Sequence, residues 1–270
     1  CTHHQIDDDI ARVKIPRWLK QKLGFDVDFE YYSGHDFPEN LKDFIAIPIE
    51  KKPVVFISHM EHHSNQTSWL ETIADVEVIP STEDGLFSLE NLKVLLEKYK
   101  ERTLKIASIT SCSNVTGIRT PYHEAAKMMH QHNGVCFVDF ACSGPYVSID
   151  MHPEDEEAYL DAIFFSPHKF LGGPGTSGVL VFNKKLYNNM VPDCPGGGTV
   201  SWTNPWGEHK YIDNIEDRED GGTPGFLQVI KTALAIQLKD EMGIDNILKR
   251  EHEIVEYVFD SLQNVPNIKI

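Results

Sequence analysis

From residue 53 onward, short apolar runs alternate with amphipathic stretches, and this alternation constrains the fold more than any other feature. Pro53–Ser58 (PVVFIS) is apolar up to its last residue and too short for a buried helix, so it reads as a strand covered on both faces. The pattern predicts a helix over Asn65–Ile73 and a strand over Val76–Ile79. A helix follows over Ser88–Tyr99, where Leu89, Leu92, Leu95 and Leu96 fall on one face and Ser88 stands as N-cap. Leu104–Thr110 reads as a strand, Tyr122–His132 as a helix with Pro121 at its first turn, and Val135–Asp139, Ala162–Ser166 and Gly178–Phe182 as strands. Strands alternating with helices indicate βαβ units. The fold class expected is therefore α/β, a three-layer sandwich with a mostly parallel central sheet.

Outside this region the signal weakens. Residues 192–225 are rich in Gly, Pro and Trp and show few signs of regular structure, whereas Phe226–Leu238 and Ile244–Leu262 read as long helices. In the first 50 residues only a helix near Arg17–Leu23 and a strand near Asp26–Tyr32 suggest themselves. Cys1 opens the chain without a start methionine or a signal-peptide pattern, and NVPNIKI at the other end reads as the start of a strand. Both ends therefore read as cuts through a larger protein, from which an organellar targeting segment could have been lost.

The formal net charge of −16 argues against binding nucleic acid through its phosphates. No apolar run approaches the roughly 18 residues of a membrane span. The five cysteines are odd in number and show no CxxC spacing, which argues against a disulfide framework or a zinc knuckle and fits a reducing, cytoplasmic setting.

In open parallel sheets, ligands bind outside the carboxyl ends of the strands. Four predicted strand ends carry reactive side chains: His59–His63, Ser113–Asn114, Asp139 and Ser166–Lys169. Lys169 sits beside His168 and before a glycine-rich turn; it is either a surface lysine or an amine placed to attack a carbonyl. Asp139 ends the apolar strand VCFVD, so if buried it needs a partner. That partner is a helix terminus, an ion pair, or the protonated ring nitrogen of a cofactor. The run HMEHH admits a metal site, but it is not HExxH and no cysteine pair supports it; a histidine ring there could instead stack on a planar cofactor. Ser113–Gly117 reads either as a simple turn or as a place from which an amide reaches a phenolic oxygen.

Five segments, in this order, resemble fold-type I pyridoxal 5′-phosphate (PLP) enzymes of aminotransferase class V, most of all the cysteine desulfurase and selenocysteine lyase branch. MEHHSNQTSW resembles its E-H-H-x-N…W segment, TSCSNVTGIRTP its S-N-V-x-G…P, and VDFACS its V-D-x-A-Q. FFSPHKFLGGPGTSGVL resembles S-x-H-K…G-P-x-G-x-G-x-L, and EDGGTP resembles E-x-G-T-P. The resemblance covers about residues 53–240. It implies that PLP is the cofactor and that Lys169 holds it as an internal Schiff base and then shuttles protons. It implies that Asp139 pairs with the pyridine nitrogen and His62 stacks on the ring. Asn114 would approach the phenolic oxygen, and Ser166 and His168 would hold the phosphate. Thr223 would reach a phosphate across the interface of a homodimer with a shared active site. Thr2 would be the remnant of a phosphate-binding turn. The substrate implied is a small amino acid, with no nucleic acid or membrane partner. The division implied is a PLP-binding large domain over residues 1–240 and the start of a truncated C-terminal small domain over 241–270.

Three departures limit what carries over. Cys142 stands where the branch has a glutamine beside the cofactor, and a thiol is a poor substitute donor for an amide. Pro167 replaces a residue that is often small. The branch's substrate-carboxylate arginine and nucleophilic cysteine have no counterpart in this chain. A cysteine desulfurase-like or selenocysteine lyase-like activity therefore stands beside other class V activities (aminotransferase, kynureninase-like cleavage, epimerase), a non-catalytic PLP-fold protein, and a metal hydrolase built on His59, Glu61, His62 and His63.

Overall fold

A computed structural model describes residues 49–263 and 265–268. The elements proposed near Arg17–Leu23 and Asp26–Tyr32, and the candidate ligand Thr2, lie outside the described residues.

The chain forms a six-stranded sheet in the order β2-β1-β3-β4-β5-β6. Its strands are β1 (Val54–Ser58), β2 (Asp75–Ile79), β3 (Lys105–Thr110), β4 (Val135–Asp139), β5 (Ala162–Phe165) and β6 (Val179–Phe182). The first five run parallel and β6 is antiparallel to β5. Helix α1 (His63–Leu70) connects β1 to β2, α2 (Leu89–Lys98) leads from β2 to β3, and α3 (Tyr122–Gln131) leads from β3 to β4. The mostly parallel α/β architecture is the one expected, and each predicted element boundary in this region is met within three residues. Ser88 caps α2 as anticipated, its hydroxyl accepting from Asn91 N at 3.1 Å.

All residues of β1 and β3 are buried, the polar Ser58, Lys105, Ser108 and Thr110 included. Strand parity sorts them into two faces. Val54, Phe56, Ala107, Ile109, Cys136 and Val138 point into the larger core, where Leu92, Leu96, Ala126 and Met129 of α2 and α3 cover them. Val55, Ile57, Ile106 and Phe137 point to the other face, where Trp69 of α1 packs. The Trp69 and Phe137 rings stack with centroids 6.2 Å apart. Helices thus lie on both faces of the sheet.

Residues 192–225 depart from expectation. They contain a two-stranded antiparallel hairpin of β7 (Val200–Thr203) and β8 (His209–Tyr211), then the short helix α4 (Ile215–Glu219). Arg218 organises the region. Its guanidinium is buried and donates to the carbonyls of Ile212, Asp213 and Asn189, which replaces the regular hydrogen bonding that composition did not announce. Helices α5 (Phe226–Met242) and α6 (Ile244–Leu262) follow. Lys239 ties α5 to the β4–β5 connection through the carbonyls of Gly144 and Val147, at 2.7 and 2.5 Å. Among the described residues, no helix is long and apolar enough to cross a membrane.

Candidate active site

The strand order reverses between β1 and β3. The chain moves outward from β1 to β2, then returns past β1 to β3 and proceeds the other way. Strand ends diverge at such a point and leave a crevice. Here β1 and β3 pair only from Val54–Lys105 to Phe56–Ala107, so the backbone beyond must find other partners. The Glu61 carboxylate provides them. It accepts from Thr110 N at 2.8 Å, from Ser58 N at 3.2 Å and Ser58 Oγ at 2.5 Å, and from Asn65 Nδ2 at 2.8 Å. Asn65 in turn accepts from Ser108 Oγ at 2.7 Å and from Trp69 Nε1 at 3.3 Å. Burial pushes the Glu61 carboxyl above its ordinary range, against the lowering effect of those donors. The sequence reading treated Glu61 only as a candidate metal ligand. The i, i+4, i+8 spacing of Glu61, Asn65 and Trp69 was the signal for this clamp.

A cavity of about 780 Å3 opens on the α1 face of the sheet, at the carboxyl ends of the strands. Register and parity build its floor. Thr110 pairs with Asp139, Asp139 with Phe164, and Phe164 with Leu180, so one row of side chains crosses four strands and lines the cavity. Of the residues singled out from sequence, His62, Asn114, Asp139, Cys142, Ser166, His168 and Lys169 all line it. Thr223 lies on an exposed segment before α5 and is not part of the lining. Phe164, Leu180, Thr110 and Cys112 are lining residues that the sequence reading did not single out.

Each side chain is held by local structure. His62 is the N-cap of α1, its Nδ1 accepting from Ser64 N at 3.2 Å. Asn114 sits in a turn closed by Ser113 N to Ile118 O and Gly117 N to Ser113 O, with Gly117 at φ 73°. Lys169 ends a 3-10 turn over Pro167–Lys169 and is exposed at the cavity, with Ser166 capping that turn without a side-chain bond. Gly173 lets the turn close, because a Cβ there would meet the Pro167 carbonyl oxygen at 1.9 Å.

Asp139 is 7% exposed. Burial pushes its carboxyl above the ordinary range, while the Ala141 N–H and the nearby Lys169 and His62 charges pull it back. One oxygen accepts from Ala141 N at 2.7 Å, and no donor to the other is found among the described residues. Asp139 lines the cavity, so this second oxygen is open to a cationic or N–H partner placed there. The HMEHH run does not assemble as a metal cluster. His59 bonds the Gly85 carbonyl, Glu61 bridges β1 and β3, and among the described residues no three His, Cys, Asp or Glu side chains gather as a metal site.

The family model for Aminotransferase class-V matches residues 39–270. A second model, for the Hydrogen maturase F tetramerization domain, matches residues 1–49. Among curated relatives, a probable cysteine desulfurase of Halalkalibacterium halodurans is 31% identical over 224 residues, which is 80% of this chain and 52% of the relative. The cysteine desulfurase of Escherichia coli strain K12 is 31% identical over 220 residues, with 80% and 52% covered. This chain therefore spans about half the length of the curated relatives it matches. Two solved structures share the fold: the cysteine desulfurase CsdA of Escherichia coli (TM-score 0.69, 24% identity, 80% of this chain and 53% of that one) and the cysteine desulfurase of Thermococcus onnurineus NA1 (TM-score 0.67, 23% identity, 79% and 52%). With the family model covering most of its length and the sheet, crevice and strand-end residues in agreement, the chain belongs to the aminotransferase class-V family.

Proposed function

We propose that the protein is a PLP-dependent enzyme of cysteine desulfurase type, with Lys169 as the amine that carries the cofactor. The observation behind this reading is the meeting of Lys169, Asp139, His62 and Asn114 on one cavity, where a buried carboxylate keeps an oxygen without a donor. A protonated pyridine nitrogen is the partner that oxygen lacks. When bound, the cofactor would supply an electron sink for the bond broken at the substrate carbon. The residues supply the rest. Asp139 would hold the proton on the ring nitrogen. His62, fixed as the cap of α1, would cover the ring. Asn114 would orient the phenolic oxygen, and Ser166 and His168 would receive the phosphate. The Lys169 amine would move the proton at the substrate carbon. Thr223, exposed before α5, serves the neighbouring subunit of a homodimer.

The same reading implies a small amino-acid substrate and a cytoplasmic setting. It places a large PLP-binding domain up to residue 240 and the start of a small domain over 241–270. Cys142 favours a second reading, another class V activity such as amino-group transfer, because a thiol beside the phenolic oxygen donates more weakly than an amide. Incubating the whole protein with PLP, L-cysteine and dithiothreitol, the thiol reductant that releases the transferred sulfur as sulfide, separates the two. Sulfide and alanine in equal amounts, lost in Lys169→Ala, support desulfuration. Amino-group transfer to a keto acid without sulfide supports the second reading, and neither product from any amino acid offered overturns both.

A further inference from the structure

The cavity wall holds a pair of thiols, of which the cofactor reading uses only Cys142, and only as a weak donor. Cys112 follows β3 by two residues and Cys142 follows β4 by three, and these strands stay in register to their last pair, Thr110 and Asp139. The two cysteines therefore leave adjacent strand ends at about the same level. Both line the cavity. Their sulfurs share one acceptor: Cys112 Sγ donates to the Ser113 carbonyl at 3.6 Å and Cys142 Sγ to the same oxygen at 3.8 Å. Cys112 is 9% exposed, and Cys142 is half-buried with a side open to the cavity. The other cysteines of the described region are placed differently. Cys136 is fully buried under α2 and α3 on the opposite face of the sheet, and Cys194 is exposed on a loop.

We propose that Cys112 and Cys142 form an oxidisable dithiol, which a small hydroperoxide entering the cavity converts to a disulfide. Cys142 is the first to react, because it is the more accessible sulfur. Burial, and then the neighbouring Cys142 thiol, push the Cys112 thiol above its ordinary pKa, which suits it to the second step rather than the first. With hydrogen peroxide, the Cys142 sulfur attacks one peroxide oxygen and the O–O bond breaks. The products are a sulfenic acid on Cys142 and one water. The Cys112 sulfur, losing its proton, then attacks the sulfenic sulfur. The S–S bond forms, the S–O bond breaks, and the oxygen leaves as a second water carrying that proton. Two thiols lose two electrons and two protons, and the peroxide is reduced to water. A disulfide needs Cα atoms about 4.4–6.8 Å apart, and the shared Ser113 carbonyl together with the direct influence of the Cys142 thiol on Cys112 puts the two sulfurs side by side. The bond would tie the turn carrying Asn114 to the turn that follows Asp139 across the cavity wall.

The inference concerns the thiols alone and stands or falls independently of the cofactor. The protein is treated with hydrogen peroxide, alkylated under denaturing conditions, cleaved with chymotrypsin and mapped without reduction. Phe140 lies between Cys136 and Cys142, so this cleavage assigns the sulfur involved. The expected result is the loss of two alkylatable thiols per chain and a linked peptide containing Cys112 and Cys142 that dithiothreitol separates. In Cys112→Ser, dimedone traps Cys142 as the sulfenic acid; in Cys142→Ser, Cys112 stays alkylatable. The unsubstituted protein's map decides the question even if a serine variant fails to fold. Over-oxidation of Cys142 with Cys112 still free, or linkage only through Cys194 between molecules, would overturn the proposal.

Discussion

Replacing Glu61 by alanine tests why the crevice between β1 and β3 is stable. The Glu61 carboxylate is the acceptor for Thr110 N, Ser58 N, Ser58 Oγ and Asn65 Nδ2. Thr110 and Ser58 are 4% and 2% exposed, so their amides cannot turn to bulk water once the carboxylate is gone. Asn65 Nδ2 keeps a second bond to the Ser108 carbonyl, and Ser58 Oγ can rotate. Two backbone N–H groups are thus left without partners, at about 1–3 kcal/mol each. Water entering from the cavity offsets part of this. Glu61 itself is buried at a cost, since its carboxyl is pushed above the ordinary range. The expected net loss is about 2–4 kcal/mol, measured by urea unfolding as a lower midpoint with an unchanged slope. Glu61→Gln keeps one acceptor oxygen and should lose about half as much. The clamp explanation is refuted if the alanine variant unfolds within about 0.5 kcal/mol of the parent, the range of an ordinary surface change.

Asp139→Asn should leave the cofactor-free protein as stable as the parent or about 1 kcal/mol more stable at neutral pH. The folded pKa of Asp139 lies above its unfolded value, so its favourable contribution belongs to low pH and is lost as pH rises through the folded pKa. The asparagine still accepts from Ala141 N, and the same variant should bind PLP at least about tenfold more weakly; normal binding would contradict the role given to Asp139. Gly173→Ala places a Cβ against the Pro167 carbonyl and should destabilise by about 2–4 kcal/mol in thermal or urea unfolding. His130 sits at the opposite end of the sheet. Burial lowers its pKa, but bonds to Asp161 at 2.9 Å and the Glu157 carbonyl at 2.6 Å outweigh it and the net shift is upward. Its stabilisation is complete below its unfolded pKa and is lost as pH rises through the folded one. The stability gap between parent and His130→Asn should therefore narrow from about pH 6 to about pH 8; a constant gap refutes the pairing.

The sheet was legible because β1 is apolar up to its last residue and β3 places Ile106, Ala107 and Ile109 in a strand-sized run, as doubly covered strands need. Strand-end chemistry was legible for a related reason: Asp139 and Lys169 stand where apolar runs stop, and such ends face the crevice. What the one-dimensional pattern lacked was register. The row Thr110, Asp139, Phe164 and Leu180 depends on cross-strand pairing, which no single run encodes. The adjacency of Cys112 and Cys142 was hidden in the same way. The hairpin of β7 and β8 was missed because its three- and four-residue strands are mostly exposed and lack alternation; it is held in place from outside by Arg218. Thr223 shows the complementary limit, since the role implied for it needs a second subunit.

The central claim is that Lys169 carries the cofactor. The visible spectrum of the protein with PLP, before and after borohydride, addresses it most directly when followed by a peptide map. The account predicts a visible band that borohydride bleaches, a reduced pyridoxyl adduct on Lys169, and neither in Lys169→Ala. A protein that stays colourless with added PLP, or an adduct on another lysine with Lys169 unmodified, would contradict it.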